Sequence, residues 1–352
     1  MLDKAAAHPD WSAALAAVTA VLESWLDAKV PGSSAQIFVG PPYHGTPEIL
    51  TAWAQSRGWS SIPPPSPEAI LSGGETWLTQ SDEGDGPLVL PHLEHCFLRH
   101  YDGLILLRRL LDRIFSHSHR WLVGCDSWAW AYLSNAIKID AVFPSPFILE
   151  GFDQKRLRLW FQQLAAQSGE TTFVFRQADN GKFILPPVSE DGSAGEQNQG
   201  FSDFLKYIAS FSLGIPGIAW TAWRSSLSFV ISEKENAEKE SDQQPQSDVS
   251  ANPAFPIWVK PWSQLSFPKI PSQRASHSLL MVLQALLIHG GLWSRVLPEL
   301  LPLSPIEIME HLYLLEAAGL VESEQGFWQV TPLGYPVIRK SLQTEGYLID
   351  AV

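Results

Sequence analysis

At 352 residues and 39.1 kDa the chain exceeds the usual size of one compact domain, so two or three domains are expected, and its 45% hydrophobic content suffices for real cores. A formal charge of −13 and a pI near 5.2 argue against a general nucleic-acid binder, since phosphate affinity needs clustered Lys and Arg. The two cysteines, Cys96 and Cys125, sit in apolar segments as thiols of a reducing compartment would, and Met1 to Ala5 lacks the order of a secretion signal, so a cytoplasmic protein is expected.

In chain order, Trp11, Leu15, Val18, Leu22, Trp25 and Leu26 recur at helical period and predict a helix over 10–29, broken by Pro31-Gly32-Ser33-Ser34. Ile37-Phe38-Val39 is a buried strand leading into a loop bounded by Gly40 and Gly45, and a helix follows from Pro47 to Arg57. The proline-rich 59–67 stretch is a short strand or loop, 67–71 a brief helix, and Pro87 to Leu90 a second strand. Residues 93–115 predict a helix interrupted near Asp102-Gly103. Arg120 to Gly124 predicts a third strand, with Asp126 or Ser127 capping the helix that carries Trp128, Trp130 and Tyr132. A strand over 141–149 and a helix over 152–168 complete an alternation that implies βα units and a mainly parallel sheet.

Beyond that, Phe173-Val174-Phe175 and Phe183-Ile184-Leu185 flank Asn180-Gly181, a strong hairpin signal. Residues 186–200 read as a polar loop. Helices are expected over 201–212 and after Gly214-Ile215-Pro216-Gly217, the latter bearing Trp220 and Trp223. The charged, Ser- and Gln-rich stretch 232–256 lacks the apolar content to fold and is expected to be a disordered linker, followed by a proline-broken aromatic segment to 271. The last unit predicts helices over 279–288 and 293–301, and a third opened by the capping box Ser304-Pro305-Ile306-Glu307. A hairpin about Gln325-Gly326 and a helix over 332–344 end it: three helices and a two-stranded wing, a winged-helix arrangement.

Four stretches in this order resemble the AAA+/STAND class of P-loop ATPases with a carboxy-terminal winged helix. They are the Gly40 to Gly45 loop, Pro87 to Glu94 in the manner of a Walker B strand, Phe147 to Asp153 leading into a helical lid, and Gly214 to Ala219 opening a late lid helix. The resemblance implies a P-loop NTPase-like α/β domain over 1–150, a helical lid with a hairpin insertion over 151–231, the linker 232–256, and a connector with the winged helix over 257–352. It also implies a nucleotide site at Gly40, Tyr43, His44, Gly45 and Thr46, with Glu94 left to polarise a water and Arg224 at the place of a phosphate-sensing Arg. Yet a P-loop needs Lys and then Ser or Thr after its second Gly, and this chain has Thr46 and Pro47; where the family has its Walker B acids it has Pro91 and His92.

The implied function is that of a non-catalytic, regulatory or scaffolding pseudo-ATPase acting through protein contacts. No cofactor is expected; the alternative is a switch that holds ATP or ADP without ordinary Mg²⁺ coordination, its loop donors and helix N-terminus retained. A second alternative, a DNA-binding regulator, is disfavoured: residues 275–352 carry three basic side chains (Arg295, Arg339, Lys340) against eight acidic ones, a net of −5, and Pro305 to Ala318 has no Lys or Arg. His92, Glu94, His95 and His100 invite a metal, but their spacing is not that of a helical His-Glu-x-x-His site, so no metal is expected; His117 and His119 read as solvated. Cys125 beside Asp126 has no neighbouring His to serve as a base and reads as structural.

Overall fold

The computed structural model describes residues 2–27, 35–80, 86–116, 119–143, 145–167, 172–185, 201–228, 254–271 and 276–350. The predicted break at 31–34, the loop 186–200, residues 232–253 of the predicted linker and His117 lie outside the described residues. Two compact units result, one formed by Met1–Asp10 with Gly151–Ser266 and the other by Trp11–Glu150 with Phe267–Val352. This division departs from the expected succession of domains, because the first ten residues group with 151–266 and the C-terminal segment groups with the α/β core.

In the first unit, α1 (Leu2–Ala5) accompanies the later helices and strands of 151–266. In the second, α2 (Ser12–Asp27) precedes β1 (Ala35–Gly40), whose Ile37, Phe38 and Val39 are buried as predicted. Then come α3 (Thr46–Arg57), β2 (Ser60–Ser61), α4 (Pro67–Leu71), α5 (Glu75–Gln80), β3 (Leu88–Leu90), α6 (Ile105–Ser116), β4 (Trp121–Asp126), α7 (Ser127–Ala136), α8 (Ile139–Val142) and β5 (Phe147–Ile148). The sheet runs β2-β3-β4-β1-β5, parallel throughout, with Gly40 beside Asp126 at the ends of β1 and β4. The unit is thus an α/β fold, a five-stranded parallel sheet flanked by helices. Leu22, Ile49, Leu50, Trp53, Val89 and Leu122 pack α2 and α3 onto the sheet.

The predicted helix over 93–115 is split. Leu93–Cys96 forms a single 3-10 turn and the α-helix begins only at Ile105, because Leu98 N–H bonds to Gly103 O (3.1 Å) and a Cβ on Gly103 would lie 2.3 Å from Leu98 O. The predicted 141–149 strand is also shorter: Ala141 and Val142 close α8, which Lys138 opens in the left-handed region (φ 59°).

The first unit continues with α9 (Gln154–Ala166), β6 (Thr172–Gln177), β7 (Phe183–Leu185), α10 (Phe204–Phe211), α11 (Pro216–Ser226), β8 (Leu227–Ser228) and β9 (Ala254–Val259). Beside its helices its strands form a four-stranded sheet β7-β6-β9-β8, around a core of Phe161, Phe175, Phe204, Trp223 and Ile257. Strand β9 takes residues 254–256 out of the predicted disordered linker. Pro256 is tolerated there because it pairs with Val174 of β6, while β8 reaches only Trp258 and Val259 on the other side. The Asn180-Gly181 hairpin forms where predicted, with Gly181 at φ 67°.

Residues 276–350 form α12 (His277–Ile288), β10 (Leu292–Trp293), α13 (Leu297–Leu300), α14 (Pro305–Ala317), β11 (Val321–Glu324), β12 (Phe327–Val330) and α15 (Tyr335–Thr344). The Ser304/Glu307 capping box is present as predicted. The predicted helix over 293–301 shrinks to one turn, since Leu292–Trp293 instead pairs with β12 as the third strand of the hairpin sheet. No helix among the described residues is long and apolar enough to cross a membrane.

Candidate functional site

The loop after β1 is held by its own backbone. His44 N–H donates to Pro41 O (3.2 Å), Tyr43 is left-handed (φ 66°), and Gly45 (φ 88°) caps α3, with Ile49 N–H bonded to Gly45 O (3.0 Å). Space is tight at both ends, and at Gly45 the backbone also demands glycine. A Cβ on Gly40 would lie 2.5 Å from Thr46 Oγ1, and one on Gly45 would meet the Trp11 ring at 2.6 Å. Pro41, Pro42 and Pro47 have no N–H, so three positions of this loop and helix start cannot donate to an anion. His44 is 4% exposed, and burial pushes its imidazole down to about 4, with the Glu150 backbone pulling weakly the other way.

Facing the loop is the 3-10 turn after β3. Its Glu94, 4% exposed, accepts from His92 Nδ1 (2.7 Å) and from the Asp126 backbone N–H (3.0 Å). Burial alone would raise the Glu94 carboxyl, but the hydrogen bond from His92 and the His95 and His92 charges hold it below the usual range. Asp126 caps α7 through the Trp128 N–H (2.8 Å), and its carboxyl is driven well above the usual range by burial and by the neighbouring Glu94 charge. His92 is raised: burial lowers it, but Glu94 outweighs that. His95 is lowered, chiefly by burial. Cys96 and Cys125 are buried with thiols pushed up by burial and by Glu94, so both are inert, as the sequence suggests.

The C-terminal elements close over these two segments. Tyr43 Oη donates to Val330 O of β12, and burial raises the Tyr43 phenol above its ordinary value. Between them lies a cavity of about 300 Å³ lined by Gly40 to Tyr43, Gly45 to Glu48, Pro91, His92, Glu94, His95, Cys125 and Asp126 on one side and by Leu286, Leu287, Gly290, Phe327, Gln329 and Val330 on the other. Glu48, Glu94 and Asp126 are its acids, and among the described residues no Lys or Arg lines it.

Further contacts fasten the same elements to α7 and to the segment after the 3-10 turn. Asp350, 2% exposed, accepts from Ser127 Oγ (2.7 Å), Tyr335 Oη (2.9 Å) and Arg339 Nε (2.7 Å), and Trp128 Nε1 donates to Tyr335 Oη (3.1 Å). Arg99 donates through its backbone to His289 Nε2 (3.3 Å) and through Nη1 to Gln284 Oε1 (3.0 Å).

Of the sequence-predicted site residues, Gly40, Tyr43, Gly45, Thr46 and Glu94 line this one cavity. His44 is buried in the loop between them. Arg224 belongs to the first unit, where it is ion-paired to Asp3, donates to Ala6 O (3.4 Å) and is seated over Trp220. Sequence reading missed Asp126 and the cover from β12. The acid was visible as a cap, but its place beside Glu94 depends on parallel pairing of β3, β4 and β1.

No protein-family model matches the sequence, and no curated protein matches it. Among solved structures, the chain is similar to the Aeropyrum pernix ORC1 protein in complex with DNA (13% identity, 98% of this chain and 97% of that one, TM-score 0.40). It is also similar to the Aeropyrum pernix ORC2 protein in ADPNP-ADP complexes (10%, 95% and 94%, 0.39). A third likeness is to a variant of Thermotoga maritima RuvB (14%, 96% and 95%, 0.38). At such identities and scores these likenesses assign no activity, ligand or partner to this chain.

Proposed function

We propose that the protein is a non-catalytic, pseudo-ATPase-like regulator or scaffold that acts through protein contacts, with a C-terminal winged-helix domain seated on a vestigial P-loop. The observation that carries this reading is the composition of the loop cavity: three acids, no Lys or Arg among the described residues, and a hairpin strand bonded to Tyr43. Phosphoryl transfer relies on cationic groups to neutralise charge developing on the phosphates, and no Lys or Arg among the described lining residues supplies one. Mg-nucleotide does not fit these residues. Pro41, Pro42 and Pro47 remove backbone donors that a phosphate cradle would use, and the His44 N–H is spent on Pro41 O. The loop donors on which nucleotide binding without hydrolysis would depend are therefore fewer than its glycine spacing suggests.

A protein partner is favoured over DNA by α14, the helix that would read bases in a winged helix. It has no Lys or Arg, and it leaves Ile306 (73%) and Tyr313 (59%) exposed beside acidic residues. Calorimetric titration of the intact protein with ATP, with and without Mg²⁺, together with a phosphate-release assay, tests the reading. No turnover and no binding heat are expected; clear turnover would overturn it, and binding without turnover would move the assignment to a nucleotide-held switch.

A further inference from the structure

The 3-10 turn at Leu93–Cys96, with His92 as its N-cap, gathers three donors at one place. The His95 N–H donates to His92 O (3.3 Å) across the turn, and the His92 and His95 rings stack at 4.8 Å with planes 15° apart. Glu94 is among the residues that line the cavity, and one donor atom from each of His92, Glu94 and His95 lies within 4.8 Å of the other two. The reason for rejecting a metal from sequence, a spacing wrong for an α-helical site, therefore does not apply to this turn.

Three independent features point the same way. The Glu94 carboxylate is oriented in advance by the Asp126 backbone N–H on Oε2 (3.0 Å), the kind of outer hydrogen bond that fixes a ligating carboxylate. Two acids, Glu94 and Asp126, meet in a cavity whose described lining has no Lys or Arg to neutralise them. Glu94 and His95 also line a second cavity of about 230 Å³, with Phe97, His289 and Trp293, so the cluster is reached from two sides.

We propose that His92, Glu94 and His95 form a binding site for a divalent transition metal of the zinc class. Two imidazoles and one carboxylate are the donor set that borderline cations take, leaving a fourth position for water, whereas Mg²⁺ and Ca²⁺ prefer oxygen donors alone. The His92–Glu94 hydrogen bond gives way to two bonds to the metal, its proton being released to solvent, and the divalent charge offsets the Glu94 carboxylate. Gly290, at φ 62°, is part of the site's design: a Cβ there would meet Glu94 Cγ at 3.3 Å and His95 Nε2 at 3.4 Å. The inference goes beyond the proposed function and does not depend on it.

The test uses the intact protein, purified without an immobilised-metal step, stripped with EDTA and titrated with Zn²⁺ by calorimetry and with Co²⁺ by visible absorption. About one equivalent of Zn²⁺ is expected, with intense Co²⁺ d–d bands of low coordination number. His92→Ala and His95→Ala should each weaken Zn²⁺ binding by more than about 10-fold, and His100→Ala, outside the cluster, should leave it unchanged. Absence of stoichiometric Zn²⁺ binding, or binding by His92→Ala and His95→Ala equal to the parent, would overturn the proposal. If a variant loses its far-UV dichroism, the Co²⁺ spectrum of the parent protein decides alone: weak octahedral bands or none would overturn the assignment.

Discussion

His44 and Gly45 stand side by side in the loop and carry different costs. Gly45 combines a φ of 88° with a Trp11 ring at 2.6 Å from where a Cβ would stand, so Gly45→Ala is both strained and overpacked. A loss of about 2–4 kcal/mol is expected in urea unfolding at neutral pH, larger than for Gly181→Ala, whose added Cβ meets nothing within 4 Å. His44 is neutral in the fold with its pKa lowered from 6.5 to about 4. The unfolded chain therefore takes up a proton as pH falls through 6.5 while the folded chain does not, so this residue's contribution to stability is present above pH 6.5 and is lost progressively down to about pH 4. Urea midpoints across that window should fall more steeply in the parent than in His44→Asn; equal slopes would remove His44 as the cause.

At the scale of elements, the hold of α15 and the C-terminal segment on α7 centres on one buried carboxylate. Removing Asp350 leaves the Arg339 guanidinium and the Ser127 and Tyr335 hydroxyls without their shared acceptor, so Asp350→Ala should cost about 3–5 kcal/mol. Asp350→Asn, which keeps an acceptor oxygen but not the charge, should cost less. Tyr43→Phe, which loses only the bond to Val330 O, should cost about 1 kcal/mol.

Elements were legible where a local rule sufficed. The apolar runs of β1, β3 and β4, the Ser304/Glu307 capping box and the Asn180-Gly181 turn each carry their signal within a few residues. They were illegible where a distant partner decided. Ala141 and Val142 form an apolar run that suits helix or strand equally, and Leu292–Trp293 is a strand only because Phe327 and Trp328 lie beside it. For the site, the glycine spacing found the loop, but histidines stacked across a 3-10 turn and an acid supplied by the next strand are products of the fold.

For the whole molecule, a loop cavity whose described lining has no Lys or Arg predicts indifference to nucleotide. A ligand at 100 times its Kd would stabilise the fold by about 2.7 kcal/mol, several degrees in Tm. Millimolar ATP or ADP should therefore leave the unfolding midpoint unchanged within error, whereas a shift of several degrees would contradict the pseudo-ATPase reading. The eight acids against three bases in 275–352 predict the same indifference to duplex DNA at low salt, checked by fluorescence anisotropy.

The Tyr43–Val330 and Ser127–Asp350 bonds join positions 287 and 223 apart in the chain. Such closures come late, since long-range contacts must first overcome the entropy of a wide loop. A nascent chain would thus present the carboxyl ends of its parallel strands, with Glu94 and Asp126, to solvent until residues 276–350 emerge. The order of synthesis itself gives a period in which these strand ends stand uncovered before the C-terminal elements pack over them.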